Sequence, residues 1–422
     1  MKKDKGITLI ALVVTIVILI IIATVTINAT LGENGLIQGV QEARNESINA
    51  MIKEEESLNE VSAQFKNMME KDSNVSEPDT KWVYDEDGNV TNGKVTLELG
   101  DYVDYNCKTG KSITSYESQN GYGNQTFTTD SYNYGWRVLG VNEETGELLI
   151  ISEDLIGPST GGGTNGNRTT YYLKGKEGYV NGESELNRIS AIYGKGEGAT
   201  GARSIKVEDI NKITGYNPNN VGVYDPEQAG SGEKCYSGEI YEHGNKVTYT
   251  RDSETTITYS GENGKKGTES YNQFEYYTGS EWKSLKVGEN VTLTSTAYHY
   301  YPDTLTNNSS GSPVVGIEKT SQVYKMLFTN TSTGSYSENA NKVDNIYYWL
   351  ASKSNTMHTG YSYVSMLVVY VGYIDTGNIY YSNGNLGNSA YSIRPVVSLK
   401  SDILLKNSNT QKDGCTLWNI EI

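Results

Sequence analysis

Cysteine and histidine are scarce in this chain. Cys107, Cys235 and Cys415 form no C-x-x-C pair, and His243, His299 and His358 stand far apart. Those counts exclude the common zinc spacings and the dithiol redox motif, and no H-E-x-x-H helix occurs. The cysteines fit either three structural thiols or one disulfide with a thiol left over. Proline numbers only 7 and phenylalanine only 4. Positive charge is short as well: 35 basic against 51 acidic side chains leave a net charge of −16. A nucleic-acid binder needs a basic face to release phosphate counterions, so that class is set aside. No G-x-S-x-G elbow is present, and no cysteine has a base paired with it by spacing. Gly196-Glu197-Gly198-Ala199-Thr200-Gly201 matches G-x-G-x-x-G, but the segment before it reads as helix where a dinucleotide site needs a strand. It is a loop. No catalytic constellation, metal site or cofactor site emerges, and the chain reads as a non-enzyme.

What the chain has instead is 34 tyrosines and 45 glycines in 422 residues, with hydrophobic content held to 36%. Tyrosine tolerates a half-wet position because its ring packs while its hydroxyl stays hydrated. The length leaves room for two or three domains at about 100–200 residues each. Composition thus points to an acidic, sheet-rich, exported surface.

One segment departs from that character. Ile7 to Ile27 carries no charge over 21 residues; as a helix it would be about 32 Å long, enough for a hydrocarbon core of about 30 Å. Lys2, Lys3 and Lys5 precede it and no Lys or Arg follows before Arg44. The positive-inside rule puts the N-terminus in the cytoplasm and the remainder outside. From Val40 to Lys71, Ile48, Met51, Leu58, Val61, Phe65 and Met68 recur on one face of an amphipathic helix. The expected class is therefore α+β: a transmembrane helix over 7–30, a stalk helix over 31–73, linker strands over 74–96, and a β-rich head over 97–401. Residues 402–422 are expected to form a closing strand segment.

Lys5-Gly6-Ile7-Thr8-Leu9-Ile10 resembles the processing site of type IV prepilins, K-G-F-T-L-I-E. The resemblance covers about the first 30 residues. It implies a leader of residues 1–6, cleavage between Gly6 and Ile7 by a prepilin peptidase, and methylation of Ile7. It also implies possible pilin subunits as partners. The family's glutamate at the fifth mature position is Ala11 here, a departure that bears on filament assembly.

In the head, Val83-Tyr84 and Val90 flank an acidic hairpin tip, Asp85 to Asn89. Trp136 to Val141 and Leu148 to Ile151 read as a hairpin with a buried second strand. Helices are expected over Glu183–Tyr193 and Val207–Thr214. Residues 230–288 form a polar, strand-like insertion. Met366 to Val371 reads as a central strand because it is apolar on both faces, Asp375-Thr376-Gly377-Asn378 reads as a turn, and Asn383-Gly384 is a hairpin signal.

The blocks Leu99 to Val103, Trp136 to Val141, Ile210 to Tyr216, Tyr347 to Ser352 and Tyr391 to Leu399 resemble a domain widespread on exported bacterial proteins, one that closes with W-L-A-S and R-P-V-V-S-L. That resemblance spans residues 97 to 401. It implies a C-type-lectin-like or formylglycine-generating-enzyme-like closing part over 296–401, although neither a reactive cysteine pair nor a calcium-lectin motif accompanies it.

Residues 354–392 mix tyrosine with Asn, Ser and Gly, a blend that suits recognition surfaces. Tyr361, Tyr363, Tyr373, Asn378, Tyr380, Asn383, Asn385, Asn388 and Tyr391 are the expected ligand-contacting residues. The functional expectation is a single-pass cell-membrane protein whose extracellular head binds a protein or glycan. The alternative is a structural minor pilin or pseudopilin whose head only packs in an assembly.

Overall fold

The computed structural model describes residues 81–115, 124–159, 163–165, 168–215, 243–262, 264–297, 301–303, 314–317, 320–329, 346–370 and 372–421. The leader, the apolar segment and the stalk, with Gly6 and Ile7, lie outside the described residues, as do Cys235 and His299.

Only the elements needed below are numbered. Strands β1 (Tyr102–Val103), β2 (Trp136–Asn142), β3 (Glu147–Ser152) and β4 (Arg168–Lys174) lead into helix α1 (Gly175–Ser190). Strand β5 (Ala199–Ser204) and helix α2 (Val207–Thr214) follow. A polar meander then contributes β6 (Lys246–Arg251), β7 (Thr256–Gly261), β8 (Lys266–Ser270) and β9 (Asn290–Thr294). Helix α3 (Gln322–Phe328) precedes β10 (Tyr347–His358), β11 (Tyr361–Tyr370), β12 (Tyr373–Tyr381) and β13 (Asn388–Tyr391). Strands β14 (Pro395–Leu399), β15 (Leu404–Lys412) and β16 (Cys415–Glu421) end the series.

Seven of these strands make one sheet in the order β5-β14-β3-β2-β1-β16-β15. All pairs are antiparallel except β16 on β1. The expected hairpin is β2 and β3, whose runs are almost wholly buried. The acidic tip also forms: Asp85 Oδ1 accepts from the Asp87 and Asn89 amides at 3.0 and 2.8 Å. The meander is a four-stranded antiparallel sheet, β8-β7-β6-β9, over its own small core of Val247, Tyr249, Ile257, Phe274, Leu285 and Met357. A third sheet, β10-β11-β12, stands between two further cores. One of its faces joins Trp349, Met366 and Val368 to α1 and the large sheet. The other joins Leu350, Leu367 and Val369 to α2 and α3.

Arg394 locks these layers. It is fully buried, and its guanidinium donates to the carbonyls of Ser152 and Met326 at 3.2 and 2.6 Å, with the Tyr348 ring 5.3 Å away. A fork of five donors suits a site that offers only carbonyls.

The α+β expectation is corrected. The described residues are dominated by strands, their α-helices span only 16, 8 and 7 residues, and no helix among them is long and apolar enough to cross a membrane. Alternating Tyr, Thr and Val pair across sheets, and the short helices serve as lids on them. The lectin-like closing part is corrected too. Within 296–401, strand β14 inserts between β5 and β3 of the large sheet. In the closing segment expected over 402–422, residues 404–412 and 415–421 join the large sheet as β15 and β16. The glycine-rich match at 196–201 is loop only over its first three residues; from Ala199 it is edge strand β5, and what precedes it is helical where a dinucleotide site needs a strand.

Candidate functional site

Strand β11 is the scaffold of the expected site. Met366, Leu367, Val368 and Val369 are each fully buried, which is why the run is apolar at consecutive positions. Its neighbour β12 contains Asp375 to Asn378, which pair with Val368, Leu367, Met366 and Ser365 in continuous register. The expected turn is therefore strand; pairing along β11 outweighs the turn preference of these residues. Gly377 is needed there, since a side chain would meet the Trp349 ring at 2.5 Å.

The predicted tyrosines separate into three places. At one end of the sheet, Tyr347, Tyr370 and Tyr373 pair across β10, β11 and β12. Tyr391 joins them from β13, with its ring 6.4 Å from Tyr347, near-parallel at 19°, and 6.3 Å from Tyr370 at 86°. Tyr347 and Tyr370 meet edge-on at 4.9 Å, and Tyr370 and Tyr373 at 5.6 Å. All four rings are half-exposed, and behind them lies fully buried Trp349, 4.8 Å from Tyr391. Asp375 shares the face of Tyr373, two residues along the strand. Burial and then the Asp375 charge push the Tyr391 hydroxyl up to about 12.

At the opposite end of β11, about 30 Å away by strand rise, Tyr361 and Tyr363 cluster with Tyr381, and His358 stacks on Tyr361 at 4.7 Å. Burial pushes the Tyr363 hydroxyl up to about 12. The third location is interior. Tyr380 is 5% exposed; it packs on Trp282 at 5.1 Å, and its hydroxyl donates to Glu275. Lys176 pairs with Glu275 at 2.6 Å and lies 5.3 Å from both the Trp282 and Tyr380 rings. Burial raises the Glu275 carboxyl, but the Lys176 and Tyr380 hydrogen bonds outweigh it and hold the group below its usual range. Asn378 accepts from Ser365 Oγ at 3.2 Å. Asn383 accepts the Asn385 amide at 3.1 Å in a turn where Gly384 has φ +91°, and Asn385 is exposed at that turn. The backbone of Asn388 pairs with Lys174 on β4.

The structure thus brings Tyr373 and Tyr391 together, adds Tyr347 and Tyr370, and leaves the remaining predicted residues elsewhere. The two added tyrosines terminate the buried strands β10 and β11, and their spacing in the chain gives no hint that they meet.

A concavity of about 790 Å³ lies beside the start of α2. Six of its nine charged side chains pair within the wall: Arg203 with Asp209 at 2.6 Å, Lys206 with Glu183 at 3.5 Å, and Lys212 with Glu143 at 2.7 Å. Ser352 Oγ accepts the Val207 amide at 2.9 Å and donates to Glu208 at 3.3 Å. Burial lowers the pKa of His243 on the rim. The wall is a capped helix end laced by ion pairs, and it offers less to a ligand than the tyrosines do.

No family model, curated protein or solved structure matches this chain. The site must be read from its own chemistry. In the concavity beside α2 the Ser352 hydroxyl lies between the Val207 amide and the Glu208 carboxylate, and Cys107 and Cys415 are both buried and outside any disulfide. Burial pushes the Cys107 thiol up to about 11, away from reactivity. The shelf of Tyr347, Tyr370, Tyr373 and Tyr391 supplies recognition chemistry: ring faces, hydroxyls and one carboxylate on a rigid base.

Proposed function

We propose that the chain is a membrane-attached surface protein whose head recognises an extracellular ligand through the tyrosine shelf. The observation that carries this reading is the row Tyr347, Tyr370 and Tyr373 across three strands, capped by Tyr391 and backed by Trp349. Half-exposed tyrosines on a strand buried on both faces contribute contact area at low entropic cost, and binding hot spots are enriched in tyrosine. Attachment rests on the uncharged run from Ile7 to Ile27, and processing rests on Gly6 before the T-L-I sequence.

The test uses the full chain displayed on cells and challenged with immobilised extracellular glycans and matrix proteins. Tyr373→Ala with Tyr391→Ala should lower retention on the bound member of the panel at least about tenfold, since hot-spot truncations cost about 2 kcal/mol or more. Retention equal to that of the unaltered chain removes the shelf from the function.

Processing has its own test. Intact-mass analysis of protein made with a prepilin peptidase should show a chain starting at Ile7, and Gly6→Leu should leave the precursor uncut, because glycine enters the protease without a side-chain clash. A mature chain that begins at Met1 ends the prepilin reading.

A further inference from the structure

We propose that Tyr347 and Tyr370 are an oxidative cross-linking site, where one-electron oxidation joins the two rings as dityrosine and closes the end of the β10–β11 hairpin. They face each other as the terminal cross-strand pair of these strands. Their ring centroids are 4.9 Å apart at 76°. The next tyrosine pair among the described residues, Tyr363 and Tyr381, stands at 5.4 Å. Directly opposed positions keep their Cβ atoms about 4.5–5.5 Å apart, so the backbone holds the rings together. Crowding of this kind, which leaves no space between the rings, is what coupling requires.

Access and composition point the same way. Both rings are half-exposed, within reach of an oxidant in solution. Packing alone could be met by phenylalanine, yet the chain has 34 tyrosines and 4 phenylalanines. Only a phenol yields a phenoxyl radical. Tyr391 and Tyr373 lie 6.3 and 5.6 Å from Tyr370, so the pair sits within a larger group of oxidisable rings.

The step balances with hydrogen peroxide as the oxidant, acting through a haem peroxidase. Each phenol gives up one electron and one proton, the proton passing to water. Burial and then the neighbouring Tyr370 raise the pKa of the Tyr347 hydroxyl, so that proton leaves together with its electron. A turn about the Cβ–Cγ bond, a broad torsion in tyrosine, brings the Cε edges together. The two radicals join there in one carbon–carbon bond, and each displaced Cε hydrogen moves through solvent to its ring oxygen. The two electrons and two protons released reduce one peroxide to two waters. Rings held in contact react at an effective concentration far above that of any second chain, so the bond forms within the molecule. It ties β10 to β11 at the end opposite the Thr359–Gly360 turn.

The test treats the full-length chain, dilute and in detergent, with a haem peroxidase and hydrogen peroxide. Trypsin cuts after Lys353, between the two tyrosines, so the bond is read by mass spectrometry as two joined peptides lacking two hydrogens. Fragmentation should place it at Tyr347 and Tyr370. The oxidised chain should melt about 5 °C or more above the untreated one, since a covalent link that closes a loop restricts the unfolded state. Tyr370→Phe, which keeps the ring and its packing but has no phenol, should abolish both the joined peptides and the melting shift. The inference is overturned if no joined peptides form, if the bond maps to other tyrosines, or if it occurs only in covalent dimers that vanish on dilution. Joined peptides at undiminished yield in Tyr370→Phe overturn it too, and a bond that leaves melting unchanged overturns its role as a staple.

Discussion

Replacing Arg394 with alanine should destabilise the head by at least about 3 kcal/mol, seen as a large fall in the urea midpoint of the detergent-solubilised chain. The side chain is fully buried and is the hydrogen-bond donor to the Ser152 and Met326 carbonyls. Those carbonyls belong to different layers, the end of β3 and helix α3. Each acceptor left unsatisfied costs about 1–3 kcal/mol, and the volume vacated beside Tyr348 adds a cavity term. Domains are stable by only about 5–15 kcal/mol in total, so the variant should approach unfolding. Arg394→Lys should recover only part of the loss, because one ammonium cannot span the acceptors that the planar fork reaches. A midpoint unchanged in Arg394→Ala would mean that the layers hold without this bridge.

The second large effect is expected at Trp349. Its ring is fully buried against Gly377 and Tyr391, and its Nε1 donates to the Tyr171 carbonyl at 2.8 Å. Truncation to alanine opens a cavity and leaves that carbonyl unsatisfied, for a loss of about 3–5 kcal/mol. Trp349→Phe keeps most of the packing but not the donor, so its loss should be smaller, near the about 1–3 kcal/mol of one orphaned acceptor. Because Tyr391 leans on this ring, both variants should also loosen the shelf. Calorimetric melting reads the first consequence and the adhesion assay reads the second. A Trp349→Ala chain that melts normally would contradict the assigned core.

Much of the local structure was legible in the residues. Helix α2 occupies Val207–Thr214 as its pattern predicts, and β2 and β3 follow their apolar runs. Helix α1 was read eight residues short at its start, because Gly175, Gly178 and Gly182 resemble loop residues. Gly182 serves close packing instead, since a side chain there would sit 3.1 Å from the Met366 sulfur, and Gly175 opens the helix at φ +66°. The segment Asp375 to Asn378 carries turn residues and is strand, because β11 offers it a complete ladder. The shelf was half legible. Tyr373 and Tyr391 stand out in a tyrosine-rich stretch, but their meeting with Tyr347 and Tyr370 depends on the register of three strands and on β13 crossing them. Local spacing carries no information about such register. The interior position of Tyr380 depends on the meander residues Glu275 and Trp282, about a hundred positions away in the chain.

The order of the large sheet has a consequence for when this protein can exist in its finished form. Strand β1 begins at Tyr102, yet its outer neighbour is β16, where Leu417 and Trp418 pair with Tyr102 and Val103. Strand β3 likewise waits for β14 on its other side. A chain emerging from the ribosome or a translocation channel makes β1, β2 and β3 first, and the strands that pair on either side of them, β14 and β16, last. Asp101 holds the Thr416 amide and the Trp418 indole at 2.9 Å each, so these two of its partners also arrive at the end. Until residues 395–421 are free, β2 and β3 stand as a hairpin with apolar runs and open edges, a state prone to pairing with other chains. Sequence-distant closure of this kind is slow. Assembly of the sheet is therefore a post-synthetic event, timed by release of the final strands.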